Sequence, residues 1–156
     1  MEYIGSLISV KDIKASKAFY EELFGLKVKF DFGENIAFDC GLFLQEDFSE
    51  YLGIPENEIK YKTNNFEIYF EEKNFDDFIK KLEKYENIEY IHKTKEFSWG
   101  QRSIRFYDLD KHIIEIGESM VTVINRFLKQ GLSIEETAKK SQHSIEYIKE
   151  CMKQSI

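Results

Sequence analysis

Across residues 3–10, Ile4, Ile8 and Val10 share one parity, broken at Ser6, which predicts a strand with one buried face. Asp12 then stands where an N-cap belongs. Ala15, Phe19 and Leu23 recur every four residues with Phe24 beside them, and Gly25 follows as a C′ residue. That spacing predicts an amphipathic helix of about three turns. Short strand-like runs come next at 26–32, 35–39 and 41–45. Gly33 with Glu34, and Cys40 with Gly41, suit the tight turns between them.

The same order returns after residue 63. Phe66, Ile68 and Phe70 alternate with Asn65, Glu67, Tyr69 and Glu71, a half-buried strand. Asn74 is placed to cap a helix carrying Phe75, Phe78, Ile79 and Leu82 on one face, with Asp77 in its first turn. Strands are predicted at 88–94, 101–107 and 112–117. The two caps lie 62 residues apart. The chain therefore reads as β-α-β-β-β twice, joined by a polar linker, 46–63, that holds the only proline, Pro55. An internal repeat of this size is a fold-level signal.

Residues 119–156 break the pattern. Met120, Val121, Ile124, Phe127 and Leu128 predict a helix ended by Gly131. Ser133 and Glu136 form a capping-box pair for a second helix. Ser144 caps a third, with Ile145, Ile148 and Met152 along one side.

Composition sharpens this picture. The chain of 156 residues is 42% hydrophobic and 33% charged, which marks a globular domain rather than a disordered one. It holds no apolar run of the ~18–20 residues a membrane span needs, and its start lacks the basic region of a secretory signal, so a cytoplasmic location is expected. The net charge of −7 argues against general nucleic-acid binding. Cys40 and Cys151 are far apart and read as two reduced thiols. The tail carries six basic and four acidic side chains, a net of +2, which leaves −9 on the first 118 residues.

The segment from Ser9 through Ala18, Phe19 and Tyr20 to Leu23, Phe24, Gly25 and Leu26 resembles the vicinal oxygen chelate superfamily of glyoxalases, bleomycin-resistance proteins and extradiol dioxygenases. So does the run Arg105, Phe106, Tyr107, Asp108, Leu109, Asp110, Lys111, His112, Ile113, Ile114, Glu115, Ile116. The likeness spans 3–118 and includes the repeat. It departs at Leu109 and Lys111, where the family has proline and glycine, but Asp108 and Asp110 still favour a turn. The resemblance implies an α+β fold: two βαβββ modules, about 3–46 and 64–118, whose curved mixed sheets surround a cavity, with 119–156 as a helical extension. It also implies small-molecule binding or chemistry in that cavity, as a lyase or isomerase, and a homodimer. Strand parity then turns Gly5, Leu7 and Ser9 inward. The same parity turns Phe43, Gln45, Asn65, Glu67, Tyr69, Ser103, Arg105, Ile113 and Glu115 inward.

Metal-dependent members of the family place one ligand on each of four inner strands. By the resemblance these positions fall on Gly5, on Phe43 (or Gln45 after a slip of two), on Asn65 and on Glu115. Only Glu115 is a good ligand type, and one carboxylate with one amide holds a transition metal weakly. His112 and Glu115 are three apart on a strand and face opposite ways, so they cannot chelate together. Glu67 with Glu115 could still hold a cation, which leaves the cofactor open.

Without a metal, Glu67, Arg105 and Glu115 are the candidate catalytic group: one carboxylate as general base, Arg105 holding an oxyanion. The plainer reading is an internal ion pair that satisfies both partners. A rival function is a metal-free protein that sequesters a cationic small molecule or drug, with Phe43, Tyr69, Trp99 and Tyr107 as aromatic walls. Trp99, beside Gly100, is either an anchor for a lid or a ring closing the end of the core. Residues 133–152 have the outline of a helix-turn-helix. DNA reading is the least favoured function, because Glu146 and Glu150 oppose Tyr147, Lys149 and Lys153 on the last helix.

Overall fold

The computed structural model describes residues 1–154. Eight strands and six α-helices follow one another along these residues. The first module is β1 (Ser6–Ser9), α1 (Ile13–Phe24), β2 (Val28–Asp31), β3 (Asn35–Phe38) and β4 (Leu42–Gln45). The linker is not irregular throughout: it forms a short helix, α2 (Phe48–Leu52), and a 3-10 turn at Glu56–Glu58. The second module is β5 (Glu67–Glu72), α3 (Phe75–Leu82), β6 (Tyr90–Glu96), β7 (Arg102–Tyr107) and β8 (Ile113–Glu118). Helices α4 (Met120–Lys129), α5 (Ile134–Ser141) and α6 (Ile145–Lys153) end the described chain. The fold is α+β, and each module is a βαβββ unit.

The repeat is visible in the sheets. One has the order β1-β4-β3-β2 and the other β5-β8-β7-β6, each with one parallel pair and two antiparallel pairs. The chain divides into two compact units. The first is Met1–Asn65 with Asp108–His112; the second is Phe66–Tyr107 with the chain from Ile113 on.

In the first unit Asp12 caps α1, its Oδ1 accepting from the amides of Lys14 and Ala15, and Gly25 ends the helix in the left-handed region at φ 69°. The cap stabilises the helix by about 1 kcal/mol. The buried stripe is Ile13, Ser16, Phe19, Tyr20 and Leu23, while Ala15 faces out. Spacings of three and four carry that stripe, which the every-fourth reading misses. The stripe lies against β3 and β4, with the rings of Tyr20 and Phe38 6.0 Å apart.

The turn Asp108–His112 keeps its shape without the family's proline and glycine. Asp108 Oδ1 accepts from the amides of Asp110 and His112, and Lys111 takes the left-handed conformation at φ 70°. Asp108 Oδ2 accepts the Tyr20 hydroxyl at 2.8 Å and faces His112 Nδ1 at 2.9 Å. The Tyr20 phenol is fully buried, and burial together with Asp108 pushes its pKa well up.

In the second unit Ile104, Phe106, Ile114 and Ile116 are buried on one face of the sheet, and Phe75, Phe78 and Leu82 are the buried residues of α3. Phe66 shares their parity but precedes β5 and is exposed. The Asn74 side chain makes no capping bond; Glu72 Oε1 instead accepts the Asn74 amide at 2.7 Å. The α4–α6 helices bury Ile124, Ala138, Ile148 and Cys151 among themselves. Met152 is exposed, and Cys151 takes the inward position expected of it, because spacings of three align 145, 148 and 151. The expected capping box of Ser133 and Glu136 is formed, and Ser144 Oγ accepts from the Tyr147 amide. No helix among the described residues is long and apolar enough to cross a membrane.

Candidate functional site

Cross-strand register turns parity into rows. In the first sheet Leu7 pairs with Phe43, Phe43 with Ala37, and Ala37 with Phe30. That row is wholly apolar. The equivalent row of the second sheet, 62 residues further on at its first strand, is Tyr69, Glu115, Arg105 and His92. Every member of it carries a polar or charged group. Titratable chemistry is thus concentrated on one module.

Within that row Arg105 is the hub. Its Nε donates to Glu67 Oε2 at 2.9 Å, its Nη2 donates to Glu115 Oε2, and its Nη1 faces His92 Nε2 at 3.2 Å. His92 Nδ1 lies 2.8 Å from the Lys93 carbonyl oxygen. A carbonyl can only accept, so Nδ1 carries the proton and Nε2 is free to accept from Arg105. Three of the five guanidinium N–H groups are engaged, and each Nη keeps one for another acceptor.

The two carboxylates differ. The hydrogen bond from Arg105 holds Glu67 below the usual carboxylate range, and the Glu67 side chain is 40% exposed. Burial pushes Glu115 above that range, with Glu67 adding to the effect and Arg105 pulling against it. Glu115 is only 6% exposed. One guanidinium between two carboxylates leaves a net charge of −1, and the pair is split into a more acidic and a less acidic member.

Tyr69 flanks Glu115 in the row. Its hydroxyl donates to Glu71 Oε1 and accepts from Gln101 Nε2, both at 2.9 Å. Burial and Glu71 push the phenol up to about 12. Gln101 Oε1 accepts from Trp99 Nε1 at 3.0 Å. Trp99 itself stacks on Phe97 and packs against the Met120, Val123 and Phe127 cluster, so it closes the end of a core.

The structure brings Glu67, Tyr69, Arg105 and Glu115 together, with Trp99 linked through Gln101. Tyr107 shares their face of β7 but is buried and pairs with Ile113. Phe43, Gln45 and Asn65 belong to the first unit. The Gln45 amide is taken up locally, donating to the carbonyl oxygens of Glu34 and Glu46 and accepting from Asn35 Nδ2. Asn65 is exposed, accepts from the Thr63 hydroxyl and precedes β5. His92 is the member that sequence reasoning missed. Its strand is irregular on both sides of it, so counting residues could not place it opposite Arg105. A groove of about 580 Å³ along α4, lined by Lys73, Val121, Asn125 and Lys129 among others, shares none of these residues.

The family's metal does not fit these residues. By place in the repeat Gly5 corresponds to Glu67, each two residues before the paired Leu7 and Tyr69, and Phe43 corresponds to Glu115. A Cβ on Gly5 would lie 1.9 Å from the Gly41 carbonyl oxygen and 2.8 Å from Phe43 Cε2. So one position admits no side chain, one holds a phenyl ring, and the two carboxylates are bonded to Arg105. Among the described residues no three His, Cys, Asp or Glu side chains converge on a common point.

The sequence profile of the glyoxalase-like domain matches residues 3–121. A protein of unknown function from Agrobacterium tumefaciens str. C58 is 35% identical, with a TM-score of 0.66, over 76% of this chain and 94% of that one. A glyoxalase/bleomycin resistance protein/dioxygenase family enzyme from Burkholderia phytofirmans PsJN shares the fold at 15% identity and a TM-score of 0.65, over 76% and 98% of the two chains. Lactoylglutathione lyase from Agrobacterium tumefaciens does so at 21% and 0.58, over 76% and 93%. No curated protein sequence matches the chain. With its two βαβββ modules and the profile match across both, the chain belongs to the glyoxalase-like domain family of the vicinal oxygen chelate superfamily.

Proposed function

We propose that the chain handles a small organic molecule against the Tyr69–Glu115–Arg105–His92 row, and that the chemistry there is metal-free proton transfer. In this reading 3–118 is the working domain, 119–156 an extension, and the protein is cytoplasmic and homodimeric. The observation that carries the proposal is the pair of unlike carboxylates on one guanidinium. Glu115, the less acidic and more buried, takes a proton from a C–H bond beside a carbonyl. The electron pair moves onto the carbonyl oxygen, and the spare Nη hydrogens of Arg105 donate to it. Returning the proton to the same carbon or its neighbour completes an exchange or an isomerisation.

A direct test uses S-lactoylglutathione, named for the lyase that shares this fold. Incubated with the protein in D2O, its C–H beside the thioester carbonyl should exchange for deuterium. Glu115→Gln should abolish the exchange. Equal exchange by the variant, or none by either protein, counts against a general base at Glu115 for this substrate class. The net negative charge of the row supports a second reading, sequestration of a cationic small molecule. Saturable binding of benzyltrimethylammonium at these residues, without exchange, would favour it.

A further inference from the structure

The role of the C-terminal extension can be read from the side chains that run between α4 and the row. Phe127 of α4 points the tip of its ring at Gly100: a Cβ there would sit 2.1 Å from Phe127 Cζ and 3.0 Å from Cε1 and Cε2. Gly100 also adopts φ +85°, so both space and backbone call for glycine. The neighbouring Trp99 packs on the same cluster of Met120, Val123 and Phe127. Its ring is stacked on Phe97, with centroids 4.6 Å apart and planes at 15°. Phe97 in turn stands 5.7 Å from the Arg105 guanidinium carbon and meets the His92 ring edge-on at 6.5 Å. A second arm runs in parallel. The Met120 amide donates to Glu71 Oε2, Tyr69 donates to Glu71 Oε1, and Gln101 ties Tyr69 to both Trp99 and the Glu118 carbonyl oxygen.

We propose that the C-terminal extension is a working part of the site: through Phe127, Trp99 and Phe97 it positions the Arg105 guanidinium between Glu67 and Glu115. Phe97 is the positioning residue. A guanidinium that bonds two carboxylates can rotate toward either one, and an aromatic face beside it favours one orientation. Phe97 keeps its own place because Trp99 is clamped from behind by α4. The extension therefore does more than cover apolar surface; it sets how Arg105 divides its bonds. This rests on the row being the working surface, but it is tested without any ligand, so its failure and that of the proton-transfer reading are separable.

The reporter is Arg105 itself, one of three arginines in the chain. In a 1H–15N spectrum of the ligand-free protein its Nε–H, held by Glu67, should give a cross-peak apart from the position of free arginine. Phe97→Leu and Gly100→Ala should move that peak toward the position of free arginine. Phe97→Tyr, which keeps the ring, should restore it. Ile148→Val, which disturbs the α4–α6 core away from the chain of contacts, should leave it in place. The fluorescence of Trp99, the sole tryptophan, should change in Phe97→Leu and not in Ile148→Val. If Gly100→Ala does not fold, Trp99→Phe replaces it with the same expectation. An unmoved Arg105 peak in folded Phe97→Leu, or an equal movement in Ile148→Val, overturns the proposal.

Discussion

The ring of Phe43 stands in the space that a side chain on Gly5 would need, 2.8 Å from an ideal Cβ. The Gly41 carbonyl oxygen blocks the same space more tightly, at 1.9 Å. Since the oxygen belongs to the backbone of a hydrogen-bonded strand end, it cannot rotate away. Gly5→Ala should therefore destabilise the fold by about 2–4 kcal/mol, beyond the usual range for a surface change. Thermal melts of this variant should fall well below wild type; a melt within a degree or two would show that the strand end yields.

Arg105 compensates two carboxylates, so removing it should matter most when both are ionised. Glu67 has its pKa lowered in the fold. Its contribution is present above the ordinary glutamate value and is lost as pH falls through its lowered one. Arg105→Met should cost about 1–3 kcal/mol at neutral pH, discounted for partial exposure. The deficit should shrink as the medium is acidified and the stranded carboxyls take up protons. Denaturant titrations at two pH values measure this, and a pH-independent deficit would argue that Arg105 acts by packing alone.

Lys111 occupies a left-handed turn position where the family carries glycine. A non-glycine residue there is strained by roughly 1–2 kcal/mol, partly offset because glycine has more freedom to lose on folding. Lys111→Gly should consequently stabilise the protein by up to about 1 kcal/mol. Calorimetry would detect the rise in melting temperature, and a fall would mean that the lysine side chain compensates for its backbone.

Tyr69 should remain protonated to unusually high pH. Its pKa is raised from the ordinary value to about 12, chiefly by burial, with Glu71 adding to it. Stability tied to its neutral form is intact below pH ~10 and is lost as pH rises through about 12. Tyr69→Phe should delete one late step from the phenolate absorbance titration and cost about 1 kcal/mol through the lost hydrogen bonds. An unchanged titration curve would place the late step on another tyrosine.

Much of the fold was legible in the order of residues. The caps at Asp12, Ser133 and Ser144 and the end of α1 at Gly25 depend on a few neighbouring atoms, so local chemistry determines them. The repeat, with its two helix caps 62 residues apart, follows from hydrophobic periodicity and cap chemistry. Parity also separated Glu67, Tyr69, Arg105 and Glu115 from their buried neighbours, because alternation on a strand is a local rule. Only the tertiary structure decided which of these meet. Register between strands distant in sequence set Tyr69 beside Glu115 and Glu115 beside Arg105, and irregularities in β6 brought His92 to Arg105. Likewise, nothing in the tail's own pattern shows that α4 abuts Gly100 and Trp99. Such contacts arise between segments whose spacing along the chain carries no record of their distance in space.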